Sequence, residues 1–192
     1  MTRLRFAAVF VLLTLPGVSA DAQSRPIDAS SSTLTVLVYK SGLFSAFADD
    51  HVIRAPIAAG SISEESPLAV QIAVRPDELV VLDPGLSSEK RAEVRARMLG
   101  PDVLDSARYP EIAFASTAVE PAGGDRWSVV GMLTIHGQAR PVTFVVTRQA
   151  GRYRGSVPLK QTDFGMQPIS IVGGTVKVKD ELKVEFDIAA EK

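Results

Sequence analysis

The sequence contains no cysteine and only two histidines in 192 residues. Without a thiol there is no disulfide, no cysteine-ligated zinc or iron–sulfur centre and no cysteine nucleophile, and two imidazoles give a multi-histidine metal site little to build on. Aromatic residues are scarce at 6%, with a single tryptophan. Neither sign of charge dominates, 21 basic side chains facing 22 acidic ones. No Lys/Arg cluster interleaves with aromatics, so nucleic acid is not an expected partner. No apolar run reaches the roughly 20 residues that a membrane-spanning helix needs. What the chain does have is 46% apolar residues, too many for a disordered polymer, in a length that suits one domain or two small ones.

The N-terminus has the pattern of an export leader. Arg3 and Arg5 precede an apolar run from Phe6 to Leu15, Pro16 and Gly17 break it, and Ala20 and Ala22 make an A-x-A site ahead of Gln23. Val18-Ser19-Ala20 is a competing cut. The expected organisation is a signal peptide at 1–22 and one domain at 23–192, with the mature protein periplasmic or secreted. Cleavage after Ala22 leaves 19 basic and 21 acidic groups, because Arg3, Arg5 and Asp21 are lost. A chain of about 170 residues without disulfides must then rely on its apolar core.

Two-residue alternation dominates the remainder, the mark of half-buried antiparallel strands. Leu182, Val184, Phe186 and Ile188 alternate with Lys183, Glu185 and Asp187; Val142, Phe144 and Val146 do so with Thr143, Val145 and Thr147; Leu68, Val70, Ile72 and Val74 with Ala69, Gln71, Ala73 and Arg75. Weaker copies cover Leu34 to Val38, Ile57 to Ile62, Ile112 to Ser116, Trp127 to Ile135 and Tyr153 to Leu159. Gly123-Gly124-Asp125, His136-Gly137-Gln138 and Ala150-Gly151 punctuate them as hairpin turns. The count is about eight strands, or nine if Val176 to Val178 pairs separately. That many strands with one apolar face require a second sheet or closure into a barrel. Ser88 to Leu99 breaks the period with good helix formers, Ser88 as a cap, Gly100-Pro101 as a stop and Glu93 four residues before Arg97. Val94 and Met98 project opposite to Ala92, Ala96 and Leu99 at roughly 100° per residue. The expected fold is all-β, with this short helix capping one end of a barrel.

The usual catalytic motifs, G-x-G-x-x-G, the phosphate-binding P-loop, H-E-x-x-H and G-x-S-x-G, are absent. Asp49, Asp50 and His51 form one polar cluster at the end of a loop beginning at Ser41. On an extended chain only Asp49 and His51 share a face, so a capped turn competes with a ligand-contacting histidine and with a metal site. His136 occupies a hairpin turn, where a polar side chain is ordinary. Asp163, in Gln161-Thr162-Asp163-Phe164-Gly165, is read as the cap of a bulge with Gly165 at positive φ. Phe44 and Phe47 lie in a loop, either as anchors on the barrel rim or as the mouth of a cavity. An eight-stranded barrel is either just filled by its own side chains or holds one small ligand, and an inward set rich in Val, Leu and Ile, with Phe114, Trp127, Phe144 and Phe186, allows a cavity.

Three segments resemble the YceI-like family of exported bacterial proteins: Leu104-Asp105-Ser106-Ala107-Arg108-Tyr109-Pro110-Glu111-Ile112-Ala113-Phe114-Ala115-Ser116, Gly131-Met132-Leu133-Thr134-Ile135-His136-Gly137-Gln138-Ala139-Arg140-Pro141-Val142-Thr143 and Leu159-Lys160-Gln161-Thr162-Asp163-Phe164-Gly165-Met166. The resemblance spans essentially the whole mature chain. It implies a lipocalin-like antiparallel barrel with a capping helix, holding a polyisoprenoid, an isoprenoid quinone or a similar long-chain lipid, with no catalytic residue, metal or other cofactor. The chain departs from the family's commoner pattern in its long loop from Gly42 to His51 and in Asp49. Ligand contacts are expected from Phe44, Phe47, His51, Met98, Phe114, Trp127, Leu133, Phe144 and Phe164. Beyond the lipid, the expected partners are a transient membrane or periplasmic protein contact. Two other readings stay open: a filled, non-catalytic interaction module, and a small hydrolase or metal-dependent enzyme using Asp49, Asp50 and His51.

Overall fold

The computed structural model describes residues 24–41, 50–171 and 176–191. Residues 1–23, which include the expected leader, the segment 42–49 holding Phe44, Phe47 and Asp49, the segment 172–175 and Lys192 lie outside the described residues. In chain order the elements are β1 (Ser24–Pro26), β2 (Thr33–Ser41), β3 (His51–Arg54), β4 (Ile57–Ser63), β5 (Ala69–Val74), β6 (Val80–Val81), α1 (Ser88–Leu99), β7 (Ile112–Pro121), β8 (Arg126–Ile135), β9 (Gln138–Gln149), β10 (Arg152–Lys160), β11 (Ser170–Ile171) and β12 (Val176–Ala189). Single 3₁₀ turns occupy Pro76–Glu78 and Gln161–Phe164.

All ladders are antiparallel, in the order β1-β4-β5-β7-β8-β9-β10-β12-β2-β3-β6. Closure comes from β3 and β4, two halves of one segment bent at Ala55-Pro56. The first half pairs with β2 and the second with β5, so the same stretch of chain joins both ends of the row. Proline lacks an N–H and cannot continue a ladder, while the Ala55 N–H still reaches the Leu34 carbonyl at 2.8 Å. The result is a ring of eight staves: β2, the β3–β4 segment, β5, β7, β8, β9, β10 and β12. The twelve strand segments exceed the expected eight because one stave is split and the short β1, β6 and β11 sit at its rims. The seam near β12 is sewn by the N-terminal segment, where Ile27 donates to Gly60, Asp28 to Ala189, and Glu191 back to Pro26.

Alternation correctly locates the inward faces, but it misses β3, whose four residues begin inside the cluster read as loop. Val176 to Val178 is no separate strand. It is the start of β12, displaced by an irregularity between Val178 and Leu182. The hairpin at His136-Gly137 has positive φ at both residues, as does Ala150-Gly151, the geometry whose twist matches its flanking strands.

Helix α1 has the expected bounds, but Ser87, not Ser88, caps it: the Ser87 hydroxyl accepts from the Lys90 N–H at 3.2 Å. Lys90, not Arg97, is the ion-pair partner of Glu93, at 3.0 Å. Val94 and Met98 face the barrel, and Ala92 and Ala96 are exposed. Met98 packs with Val74, Leu79, Val103, Leu104, Ile135, Leu159, Phe164 and Met166 in the main buried core at this end. Gly165 takes φ 72° as expected. Asp163, however, does not cap the turn. Asp180 does, accepting from the Thr162 N–H and hydroxyl at 2.9 and 2.7 Å, while Asp163 offers only its backbone carbonyl, to Arg140.

Candidate functional site

The barrel encloses one apolar cavity of about 670 Å³, running from α1 at one end to Trp127 and Tyr153 at the other. Its wall is the inward set of the staves: Leu34, Val36 and Val38 from β2, Val70 and Ile72 from β5, and Leu182, Val184 and Phe186 from β12 are all half-buried. Side chains at these positions would be fully buried in a filled barrel. Here they keep free surface because the interior is hollow.

The waist of the tunnel is aromatic. Phe114, Phe144 and Phe186 form a row with centroids 5.4 and 5.6 Å apart, tilted and edge-to-face, in the range such rings favour. The staves between them carry glycine at this level. A Cβ on Gly131 would stand 2.5 Å from the Phe114 ring, and one on Gly155 would stand 2.5 Å from the Phe186 ring. Large and small residues therefore alternate around the ring, which lets three phenylalanines share one level without filling it.

The two ends are polar and differ in character. At the Trp127 end Glu64 accepts from the Tyr153 hydroxyl, from Arg25 at 2.8 Å, and lies 3.6 Å from Arg148. The hydrogen bond from Tyr153, ahead of the two arginines, holds the Glu64 carboxyl below its ordinary range. Burial and that same bond push the Tyr153 phenol up to about 12. Trp127 meets Tyr153 edge-on at 6.2 Å. One carboxylate thus faces two guanidinium groups here, leaving this end with one positive charge in excess among these groups.

At the α1 end His51 Nδ1 lies 2.6 Å from Asp83 Oδ2, and Asp83 Oδ1 accepts from the Val52 N–H at 2.7 Å. Asp83 is buried at 3% exposure, and Arg91 on α1 reaches its backbone carbonyl. Lys40, Lys90, Glu93, Arg97 and Lys177 complete this end of the lining. The adjacent Asp50 takes no part: it is exposed and accepts from the Lys40 N–H at 2.9 Å. Among the described residues no three His, Asp or Glu side chains converge as a metal site would require.

Six of the nine expected contact residues line the tunnel: His51, Met98, Phe114, Trp127, Leu133 and Phe144. Phe164 does not. Its ring is 2% exposed in the core beside Met98 and Met166, because the 3₁₀ turn folds it under the barrel floor instead of onto the wall. Phe44 and Phe47 lie outside the described residues. Sequence reasoning missed Asp83, Glu64 and Tyr153. Asp83 gave no signal beyond a carboxylate before Pro84, and its partner is 32 positions away; Glu64 and Tyr153 meet across 89.

Comparison with known proteins agrees with this architecture. Residues 26–190 match the YceI-like domain family. A UPF0312 protein of Pseudomonas putida strain W619 is 36% identical over 87 residues, covering 40% of this chain and 45% of that relative. One from Vibrio cholerae is 28% identical over 117 residues, 56% of this chain and 60% of its own. The chain thus spans about half the length of these curated relatives. Among solved structures, Burkholderia cenocepacia BcnA superposes with a TM-score of 0.62 at 22% identity, covering 86% of this chain and 99% of its own, a likeness of fold.

Proposed function

This chain belongs to the YceI-like family, and from that premise we propose that it is an exported binding and carrier protein that holds one long-chain amphiphilic lipid, a polyisoprenoid or isoprenoid quinone, along its barrel axis. The observation that carries the reading is the hollow apolar interior with its half-buried wall. From Lys177 to Ile188 the stave β12 runs roughly 35 Å at about 3.3 Å per residue, or roughly 25 Å along the axis at the usual strand tilt. A cavity of about 670 Å³ spread over that length is a narrow channel. Its shape suits an extended chain better than a compact molecule.

Burial of such a tail supplies ample driving force. Each methylene removed from water is worth roughly 0.8 kcal/mol, so one five-carbon isoprene unit contributes roughly 3 to 4 kcal/mol gross. Several units would exceed the practical ceiling of roughly 18 to 21 kcal/mol before ordering costs are subtracted, so affinity does not simply track tail length. Discrimination falls to the few polar groups at the ends, as in most small-molecule sites. Transport and a periplasmic location belong to the same proposal and rest on the leader pattern at 1–22. The alternative of a filled interaction module predicts a wall without free surface, and the half-buried wall favours the carrier.

The test is native mass spectrometry of the freshly purified protein, with the bound species identified after organic extraction. A carrier releases a stoichiometric lipid or quinone. Release of none, together with failure of the delipidated protein to take up any long-chain amphiphile, would overturn the proposal. An enzyme using His51 would instead lose a measurable turnover on His51→Ala while keeping its ligand.

A further inference from the structure

Resting on the reading of the tunnel as a lipid site, we propose that the part of it beyond the aromatic waist is a separate, blind subsite for the end of the hydrocarbon tail, and that Gly131 and Gly155 keep the passage into it open. The buried apolar residues fall into two clusters. One gathers around Met98, Leu104 and Phe164 near α1, and the other, of Ile27, Ile57, Ile62 and Ile188, lies along the seam of β1, β4 and β12 beside Tyr153. Ile72 and Phe186 pack against both, and Ile72 is the cross-strand partner of Phe114, so the two clusters meet at the waist. A single cavity nevertheless continues past it. Leu68, Val70, Val119 and Trp127 line the far part, and each is half-buried. Free apolar surface on that side marks room that the protein's own side chains do not fill.

The glycines decide whether a chain can pass. A Cβ on either would stand 2.5 Å from a phenylalanine ring, at its outer edge: Cε2 and Cζ of Phe114 over Gly131, Cζ of Phe186 over Gly155. Each ring therefore lies along the wall, over the backbone of the neighbouring stave, instead of across the bore. A larger residue at either position lifts a ring toward the axis, because a close-packed wall has no other place for it. From Gly131 back to Trp127 on β8 is roughly 13 Å of strand, or roughly 10 Å along the axis at the usual tilt. In a tunnel of roughly 25 Å that leaves roughly 15 Å on the α1 side. An extended hydrocarbon with bonds of about 1.5 Å advances about 1.25 Å per carbon, so about 12 carbons fill the near part and about 8 more reach the end. That end is closed. Glu64 follows β4, accepts from Tyr153 on β10 and pairs with Arg148 on β9; neither stave neighbours β4 in the ring, so the group lies across the bore. The tail's end accordingly leads from the α1 side and the head group enters last.

The single tryptophan, Trp127, reports arrival at the blind end. Delipidated mature protein is titrated with dodecanoate, which ends at the waist, and with octadecanoate, which passes it, by calorimetry and by Trp127 emission. Each further methylene that finds apolar surface is worth up to about fourfold in affinity, so octadecanoate is expected to bind at least about a hundredfold more tightly than dodecanoate. It alone shifts the emission of Trp127. Val70→Phe places bulk in the free space beyond the waist, where the barrel has room for it, and Gly155→Ala drives the Phe186 ring inward. Each should cut the affinity ratio of the two chains to about tenfold or less, a loss of more than half its free-energy span. Because both chains are compared in one variant, a general loss of folded protein cancels. A ratio that survives Val70→Phe, or an emission shift as large with dodecanoate as with octadecanoate, would overturn the blind subsite while leaving the lipid tunnel intact. A ratio that survives Gly155→Ala would overturn the part given to that glycine. Failure of both chains to bind would overturn the lipid reading itself, and this proposal with it.

Discussion

His51 and Asp83 are joined side chain to side chain at 2.6 Å across 32 positions of sequence, in a place where the carboxylate has almost no access to water. The pair ties the start of β3 to the residues that lead into α1, and so fixes the helix over the tunnel mouth. Asp83→Ala strands both the His51 Nδ1 and the Val52 N–H. The expected loss is about 2 to 4 kcal/mol in denaturant unfolding. His51→Ala leaves the carboxylate buried with one remaining donor and costs a similar amount. The double variant is expected to lose less than the sum of the two, and strict additivity would show that the contact contributes nothing.

The aromatic waist depends on glycines, so Gly155→Ala is destabilising even though alanine is a small residue. Its Cβ would stand 2.5 Å from the Phe186 ring and 2.6 Å from the backbone oxygen of Val145, and the backbone cannot give way as a side-chain tip can. A loss of about 1 to 3 kcal/mol is expected. Gly131→Ala meets the Ala115 carbonyl and Phe114 in the same way. Thermal unfolding measures the loss, and lipid retention after purification shows whether the narrowed waist also weakens ligand uptake.

Tyr153 should produce an alkaline signature. Its phenol is pushed up to about 12 from the ordinary value near 10, first by burial and then by the bond to Glu64. Stability from keeping it protonated is fully present below pH 10 and is lost as pH rises from 10 through 12, because the unfolded chain ionises first. A spectrophotometric titration should show one of the three tyrosines ionising late, and Tyr153→Phe should remove that step and reduce the fall in stability over the same window. At the acid end the sign reverses. Glu64 has a lowered value, so its contribution is present above the ordinary carboxylate range and lost as pH falls through the depressed value.

The cap of α1 separates two adjacent serines. Ser87→Ala removes the hydroxyl that accepts from the Lys90 N–H and should cost about 1 kcal/mol, read as a drop in the denaturation midpoint. Ser88→Ala, inside the first turn, should be nearly neutral. The reverse ranking would place the helix start one residue later.

Much of this was legible in the residue pattern, and the reason is period. On β12, Leu182, Val184, Phe186 and Ile188 must share a face because successive side chains on a strand point to opposite sides, and that alternation survives any tertiary arrangement. It failed at His51 to Arg54, where four residues are too few to show a period, and at the helix start, where Ser87 and Ser88 offer the same chemistry. Asp163 was the cap that the local sequence offered, whereas Asp180, the actual one, lies 18 positions from Thr162 and comes within reach only once the turn at Gln161–Phe164 is set against β12.

The sequence by itself determined an antiparallel β domain with one helix, the faces its staves turn inward, and the chemistry it lacks through the absence of cysteine and scarcity of histidine. Only the tertiary structure decided that the ring closes through the bend at Ala55-Pro56, that its interior is hollow, and that His51 meets Asp83 at one end while Glu64 meets Tyr153 and two arginines at the other. The reason is that alternation is a local consequence of backbone geometry. Hollowness and the polar clusters at the two ends depend instead on which side chains, from staves far apart in the chain, arrive at the same level of the barrel.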